Sequence, residues 1–298
     1  MNESVSQKIK KIIISLLVFD SLLLAVILFS NKKSVKSEKK VLLNPAALSE
    51  MRFISFKANE NNLSQDFLFE KKALGWFFNY RNDNSEFYFP ADKKNLDSFL
   101  EKIASVNEVT LKSKNIKSHY NYGIVNENNE STFTVTFYDK NFEPFTSINF
   151  GNTNFLSKSI MLSVSDEANV YETADVFSSY LTLDLSFWCD KKIIPDFLFN
   201  QKYSAVNESN EYYLRRGKIY TEKIDIPTSY ILSKKFDNGN SMSLELYKNT
   251  DSSYLVKPYF FAGSDLDNNK KEFFLKINYT YSISQMTANE LSGEGFYE

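Results

Sequence analysis

One histidine and one cysteine bound the reactive chemistry of this 298-residue chain. His119 stands in KSHYNYG and Cys189 in FWCDK, so a multi-histidine zinc set cannot form within one chain. Together the two could supply a nucleophile and its base, but such a dyad needs a third orienting group and a cleft. A cysteine packed beside Trp188 and a surface histidine are the plainer expectation. Asp265-Leu266-Asp267-Asn268-Asn269 imitates the start of a calcium loop, yet Lys270 replaces the required glycine and Lys276 stands where a bidentate glutamate belongs. That stretch is expected to be a polar hairpin turn. The eight glycines never form GxGxxG or GxxxxGK[ST], so the chain is not the ATPase of any system it serves. No spacing singles out a pair of acids, and the reading is of a non-enzyme with no catalytic, cofactor-binding or metal-ligating residues.

The remaining chemical oddity is Asp20, at the centre of LLVFDSLLL. The apolar run from Ile12 to Ser30 holds nineteen residues, fourteen of them Ile, Leu, Val or Phe. As a helix it reaches about 28 Å, close to the ~30 Å hydrocarbon core. Insertion is favoured by on the order of 6 kcal/mol, against about 3 kcal/mol for a central Asp. The run is longer than a signal-peptide core and ends in LFSN, without a small-residue cleavage site, which predicts an uncleaved transmembrane helix over 12–30. Leu at position 20 would insert better, so Asp20 is expected to contact a polar group of an intramembrane partner. Lys8, Lys10 and Lys11 precede the span, whereas Lys32, Lys33, Lys36, Lys39 and Lys40 follow it. That count favours a cytoplasmic C-terminal side, although long domains translocate despite flanking charge.

Stepping along the chain, residues 1–11 form a short basic tail and 31–44 a charged stalk, beginning NKKSVKSEKK. The rest is long enough for one large or two modest cores. Its 27 Phe and 18 Tyr suit a β-rich interior. A net charge of −2 leaves no basic field for nucleic acid. Period-two alternation predicts strands in STFTVTFY (131–138), FTSINF (145–150), MSLELY (242–247, after an Asp237-Asn238-Gly239-Asn240 hairpin turn) and EFFLKINYTYSI (272–283). Asp92 can cap KKNLDSFLEKIASV, whose Leu96, Phe99, Leu100 and Ile103 share one face and are expected to be buried with Trp76. A second helix is predicted from Thr173 to Leu181. With no βαβ alternation, the fold class is α+β, with mainly antiparallel sheets and a few packed helices. An α+β domain over 45–199 is followed at 200–298 by either a second β-rich lobe or a continuation of one sheet.

Gly75-Trp76 in LGWFFNY, the FPADKKNLDSFLEKIASV helix at 89–106, Tyr122-Gly123-Ile124, Gly151, Val170-Tyr171 and FWCDKKIIP at 187–195 occur in an order that resembles the family catalogued as domain of unknown function 4340. The resemblance covers roughly residues 45–195. Cys189 stands where that family often has an arginine. The resemblance implies a bacterial protein in the cytoplasmic membrane, its large domain outside the cytoplasm, working beside the integral membrane subunits of ABC-type systems akin to gliding-motility exporters. Its leading expected role is a noncatalytic, membrane-anchored accessory subunit of an ABC-type transport or cell-envelope complex, with self-association through the membrane helix as a further option. Two other classes stay open: an independent glycan-binding envelope module, for which exposed Tyr120-Tyr122 or Tyr212-Tyr213 would speak, and a hydrolase using Cys189 or an acid pair.

Overall fold

Alternating apolar and polar side chains build most of the structure: in FISFKANE, Ile54 and Phe56 are fully buried while Lys57 between them and Ala58 faces out. The computed structural model describes residues 15–21, 37–60, 63–82, 85–165, 167–198, 215–263, 268–293 and 296. It divides into two compact units, Met1–Glu38 and Lys39–Glu298.

In the first unit, residues 15–21 are helical, with Leu16, Leu17, Val18 and Phe19 exposed and the Ser21 hydroxyl donating to the Leu17 carbonyl at 2.6 Å. Among the described residues no helix is long and apolar enough to cross a membrane. This corrects the expected fold class. The structure is β-rich, with antiparallel sheets and few helices, and no spanning helix belongs to its described part, since the turns at 15–21 reach only about 10 Å. The expected boundaries Ile12 and Ser30 lie outside the described residues.

The second unit is dominated by a large sheet. Nine of its ten strands are β2 (Phe53–Glu60), β3 (Leu63–Lys72), β4 (Gly75–Asn82), β5 (Ser85–Pro90), β6 (Glu108–Ser113), β7 (Phe133–Tyr138), β8 (Pro144–Asn154), β9 (Ser159–Val164) and β10 (Val170–Ala174); the tenth, β1 (Ser37–Lys39), straddles the two units. The nine run in the order β6-β10-β9-β8-β7-β2-β3-β4-β5, every neighbour antiparallel. A second, five-stranded antiparallel sheet takes β11 (Ile219–Tyr220), β12 (Tyr230–Lys235), β13 (Ser241–Thr250), β14 (Ser253–Phe261) and β15 (Thr280–Ser284) in the order β11-β15-β14-β13-β12.

Across the large sheet lies the helix Lys93–Ser105, begun where the Asp92 carboxylate accepts from the Asn95 amide at 3.0 Å. Its Leu96, Phe99, Leu100 and Ile103 are buried, as is Trp76. The Phe56 ring is the centre of this core, meeting Phe69, Phe99 and Trp188 edge-on with centroids at 5.2, 5.2 and 5.0 Å. The hairpin at Asp237–Asn240 forms as its residues require: Gly239 takes φ 81°, and the amides of Gly239 and Phe236 close the turn at 2.9 Å each.

Other expectations are overturned. The run 272–283 is not one strand, because Asn268–Lys276 is a helix and only Thr280–Ser284 is a strand. The burial shows why: Phe274 and Ile277, three apart, are inside, whereas Leu275 is 76% exposed. The helix expected at 173–181 is the end of β10 followed by a single 3-10 turn, Ser178–Tyr180. Here the Asp175 carboxylate takes the amides of Phe177 and Ser178 and the Ser178 hydroxyl, offering the backbone an alternative to a helix. The stalk is shorter than expected, since Leu42 and Leu43 are buried and Lys40 pairs with Glu167 at 2.7 Å.

The two sheets are tied directly. Tyr88 of β5 and Asn278 exchange backbone bonds of 2.9 and 3.1 Å, and the Asn278 amide side chain donates to the Glu86 carbonyl at 2.9 Å. Phe77 meets Phe273 edge-on at 4.7 Å, and Phe89 lies 5.7 Å from Tyr279.

Candidate functional site

Neither sequence candidate for nucleophilic chemistry is placed to perform it. His119, expected on the surface, is buried, and its Nε2 faces the Ala168 carbonyl at 3.2 Å. Cys189 is fully buried at the junction of the sheets, in a one-residue bridge to Ala91. Burial pushes its thiol up to about 12, against the pull of the nearby Arg216, so at neutral pH it is protonated and a poor nucleophile. No hydrogen bond joins Cys189 to His119.

What surrounds Cys189 is a polar clasp. The helix Leu185–Trp188, capped by Asp184, delivers the chain to Pro90, where the Asp190 amide bonds at 2.8 Å. The Cys189 and Asp190 carbonyls then accept from Arg216, through Nη2 and Nε, at 2.6 Å each, and Arg216 Nη1 donates to the Gly217 carbonyl at 2.7 Å. Arg216 is 7% exposed, and its guanidinium is held by carbonyl oxygens. The Tyr279 and Tyr281 hydroxyls, also buried here, have no hydrogen-bond partner, and burial raises both phenols well above their usual range. Burial also raises the Asp190 carboxyl to about 6; the Lys192 amide opposes the shift, while Asp196 and Asp92 add to it. A guanidinium thus stands beside the FWCDK motif, supplied from Arg216. The cluster ties the FWCDK segment to Gly217, at the start of the second strand system.

Among the described residues, two of the concave surfaces that reach solvent bear on function. The larger, roughly 1050 Å³, runs between the sheets where β3–β5 face β14 and the helix Asn268–Lys276. Its walls carry Glu70, Lys72, Lys257 and Glu272 together with Tyr88 and Tyr259. Tyr88 donates to Glu70 at 3.3 Å and Tyr259 to Glu245 at 3.0 Å, so burial and these carboxylates keep both phenols protonated well past neutrality. The helix here takes in Asn268 and Asn269 of the calcium-like stretch, whose residues 265–267 lie outside the described residues. Among the described residues no group of three His, Cys, Asp or Glu is placed to hold a metal ion.

A smaller cleft, about 460 Å³, lies where the loop after β6 meets the outer end of β8. Two glycines of the family-like motifs make this contact. A Cβ on Gly123, φ 68°, would overlap the Asn152 side chain, and one on Gly151 would overlap the Tyr122 carbonyl. Their absence lets the Asn152 amide bond the Tyr122 carbonyl at 2.8 Å, beside a bulge in the β8–β9 pairing. Tyr120 is 53% exposed nearby, while Tyr212 and Tyr213 lie outside the described residues. Asp20, the remaining sequence candidate, is exposed in the helix at 15–21.

No curated protein and no solved structure matches this chain. A family model described as Domain of unknown function (DUF4340) matches residues 84–218, a stretch that carries the capped helix, Gly123, Gly151, Cys189 and Arg216. Over that segment, therefore, the chain is similar to the DUF4340 family.

Proposed function

We propose that this protein is a noncatalytic accessory subunit of a transport or cell-envelope complex, acting at the cytoplasmic membrane with its β-rich unit outside the cytoplasm. The observation that carries the reading is the groove between the sheets. Its lysines and glutamates balance, two tyrosines offer amphipathic rings, and Leu275 stands 76% exposed on the bordering helix. Such a surface suits a partner segment of mixed polarity better than a small charged substrate. The family resemblance supplies the partner class, the integral membrane subunits of an ABC-type system.

A photo-crosslinking residue placed at Leu275 of the full chain should capture an integral membrane protein in native cells, and Leu275→Arg should reduce copurification of the same protein. Protease added outside intact spheroplasts should remove the β-rich unit. Asp20→Leu tests the first unit separately, since it should lower recovery of the partner while leaving the melting of the β-rich unit unchanged. Full protection of the β-rich unit until lysis would sink the proposed location. Native copurification after Leu275→Arg would sink the proposed groove.

A further inference from the structure

The cleft at the Gly123–Gly151 contact differs chemically from the groove. Asn121 and Asn152 present primary amides that carry no hydrogen bond among the described residues, and the Tyr122 hydroxyl is equally uncommitted there. Phe155 stands 87% exposed at the rim and Leu156 is 99% exposed beside it. No carboxylate, ammonium or guanidinium is among the described residues that line the cleft.

These properties select a ligand class by elimination. An ionic ligand would give up hydration without meeting a counter-charge. A purely apolar ligand would cover the amides and leave them unsatisfied. A primary amide offers donors and an acceptor at one end, which vicinal hydroxyls or an acetamido group can answer in kind, while an aromatic face accepts the apolar side of a pyranose ring. The glycine contact fixes the loop and the bulge against each other by a backbone bond before any ligand arrives, so little ordering remains to oppose a weak ligand.

We infer that this cleft is a binding site for a neutral saccharide, favouring one that carries acetamido groups. The inference goes beyond the accessory role and uses a different surface, so either can fail without the other.

Saturation-transfer NMR on the full-length chain, with triacetylchitotriose as the neutral probe and trigalacturonate as its acidic counterpart, tests it. The neutral trisaccharide should receive saturation and the acidic one should not. The paired substitution Asn121→Ala with Asn152→Ala should weaken binding roughly tenfold, the equivalent of one to two neutral hydrogen bonds. Phe155→Ala should remove saturation from the ring protons of one sugar residue. All three side chains are exposed, and the two amides lack partners among the described residues, so unchanged melting is expected and serves as the folding control. Absence of transfer to the neutral probe overturns the inference. Equal transfer to the acidic probe does so too, as does binding indifferent to the substitutions, which would place the sugar elsewhere.

Discussion

The core around Phe56 and the clasp around Arg216 hold the same unit together by opposite means. Phe56 makes edge contacts at 5.0 to 5.2 Å to the rings of Phe69, Phe99 and Trp188, and the one polar atom of that group, the Trp188 indole N–H, donates to the Thr182 carbonyl at 2.8 Å. The Arg216 clasp buries a charge among carbonyls and leaves two tyrosine hydroxyls without partners. Apolar packing is non-directional and tolerates many solutions, whereas a buried guanidinium demands acceptors in a fixed fork. The first region makes the large sheet stable. The second specifies how the FWCDK segment meets β11 and β15.

The largest effect expected from breaking this contrast is at the apolar side. Phe56→Ala should destabilise the β-rich unit by about 3 to 5 kcal/mol in a urea titration, because the enclosing rings cannot collapse onto the cavity. A loss below about 1 kcal/mol would mean that the ring cluster is loosely packed. At the clasp, Arg216→Lys keeps the charge but cannot reach three carbonyls with one ammonium. It should cost about 2 to 3 kcal/mol, read in the same titration. A neutral outcome there would show that the fork contributes nothing beyond its charge.

Asp190 sharpens the comparison through pH. Its folded pKa, about 6, lies above the unfolded value near 3.9, so between those values the native state binds more protons than the unfolded one. Its contribution to stability is therefore fully present below about pH 4 and is lost as pH rises through about 6, on the order of 3 kcal/mol from this group. Asp190→Asn, which keeps an acceptor for the Lys192 amide, should flatten that part of the profile. An unchanged slope would show that Asp190 does not carry this part of the profile. The smallest effect is expected at Tyr281. Removing its unpartnered hydroxyl as Tyr281→Phe should stabilise the unit by about 1 kcal/mol, and a clear loss would reveal that the hydroxyl has a partner after all.

Legibility in the sequence follows the same division. Burial of Leu96, Phe99, Leu100 and Ile103 was readable because a capped amphipathic helix announces its buried face locally. The alternation in FTVTFY and the turn at Asp237–Asn240 were readable for the same reason. Where local signals competed, the reading failed. Asp175 diverted its own amides from a helix, and EFFLKINYTYSI was apolar enough to satisfy either period until the sheet junction chose a helix for its first part.

By itself, then, the sequence determined that Phe-rich strands and one capped helix would make a β-rich core, that it holds no phosphate-loop motif and only one histidine, and that Gly123 and Gly151 sit in motifs resembling those of a known family. Only the tertiary structure decided that those two glycines meet each other, that Arg216 closes on the Cys189 and Asp190 carbonyls, and that two strand systems enclose a groove. The physical reason is range. Periodicity and capping act over a few residues, whereas Arg216 reaches a carbonyl 27 positions away and Asn278 one 192 positions away, contacts whose partners are chosen by packing after the local elements exist.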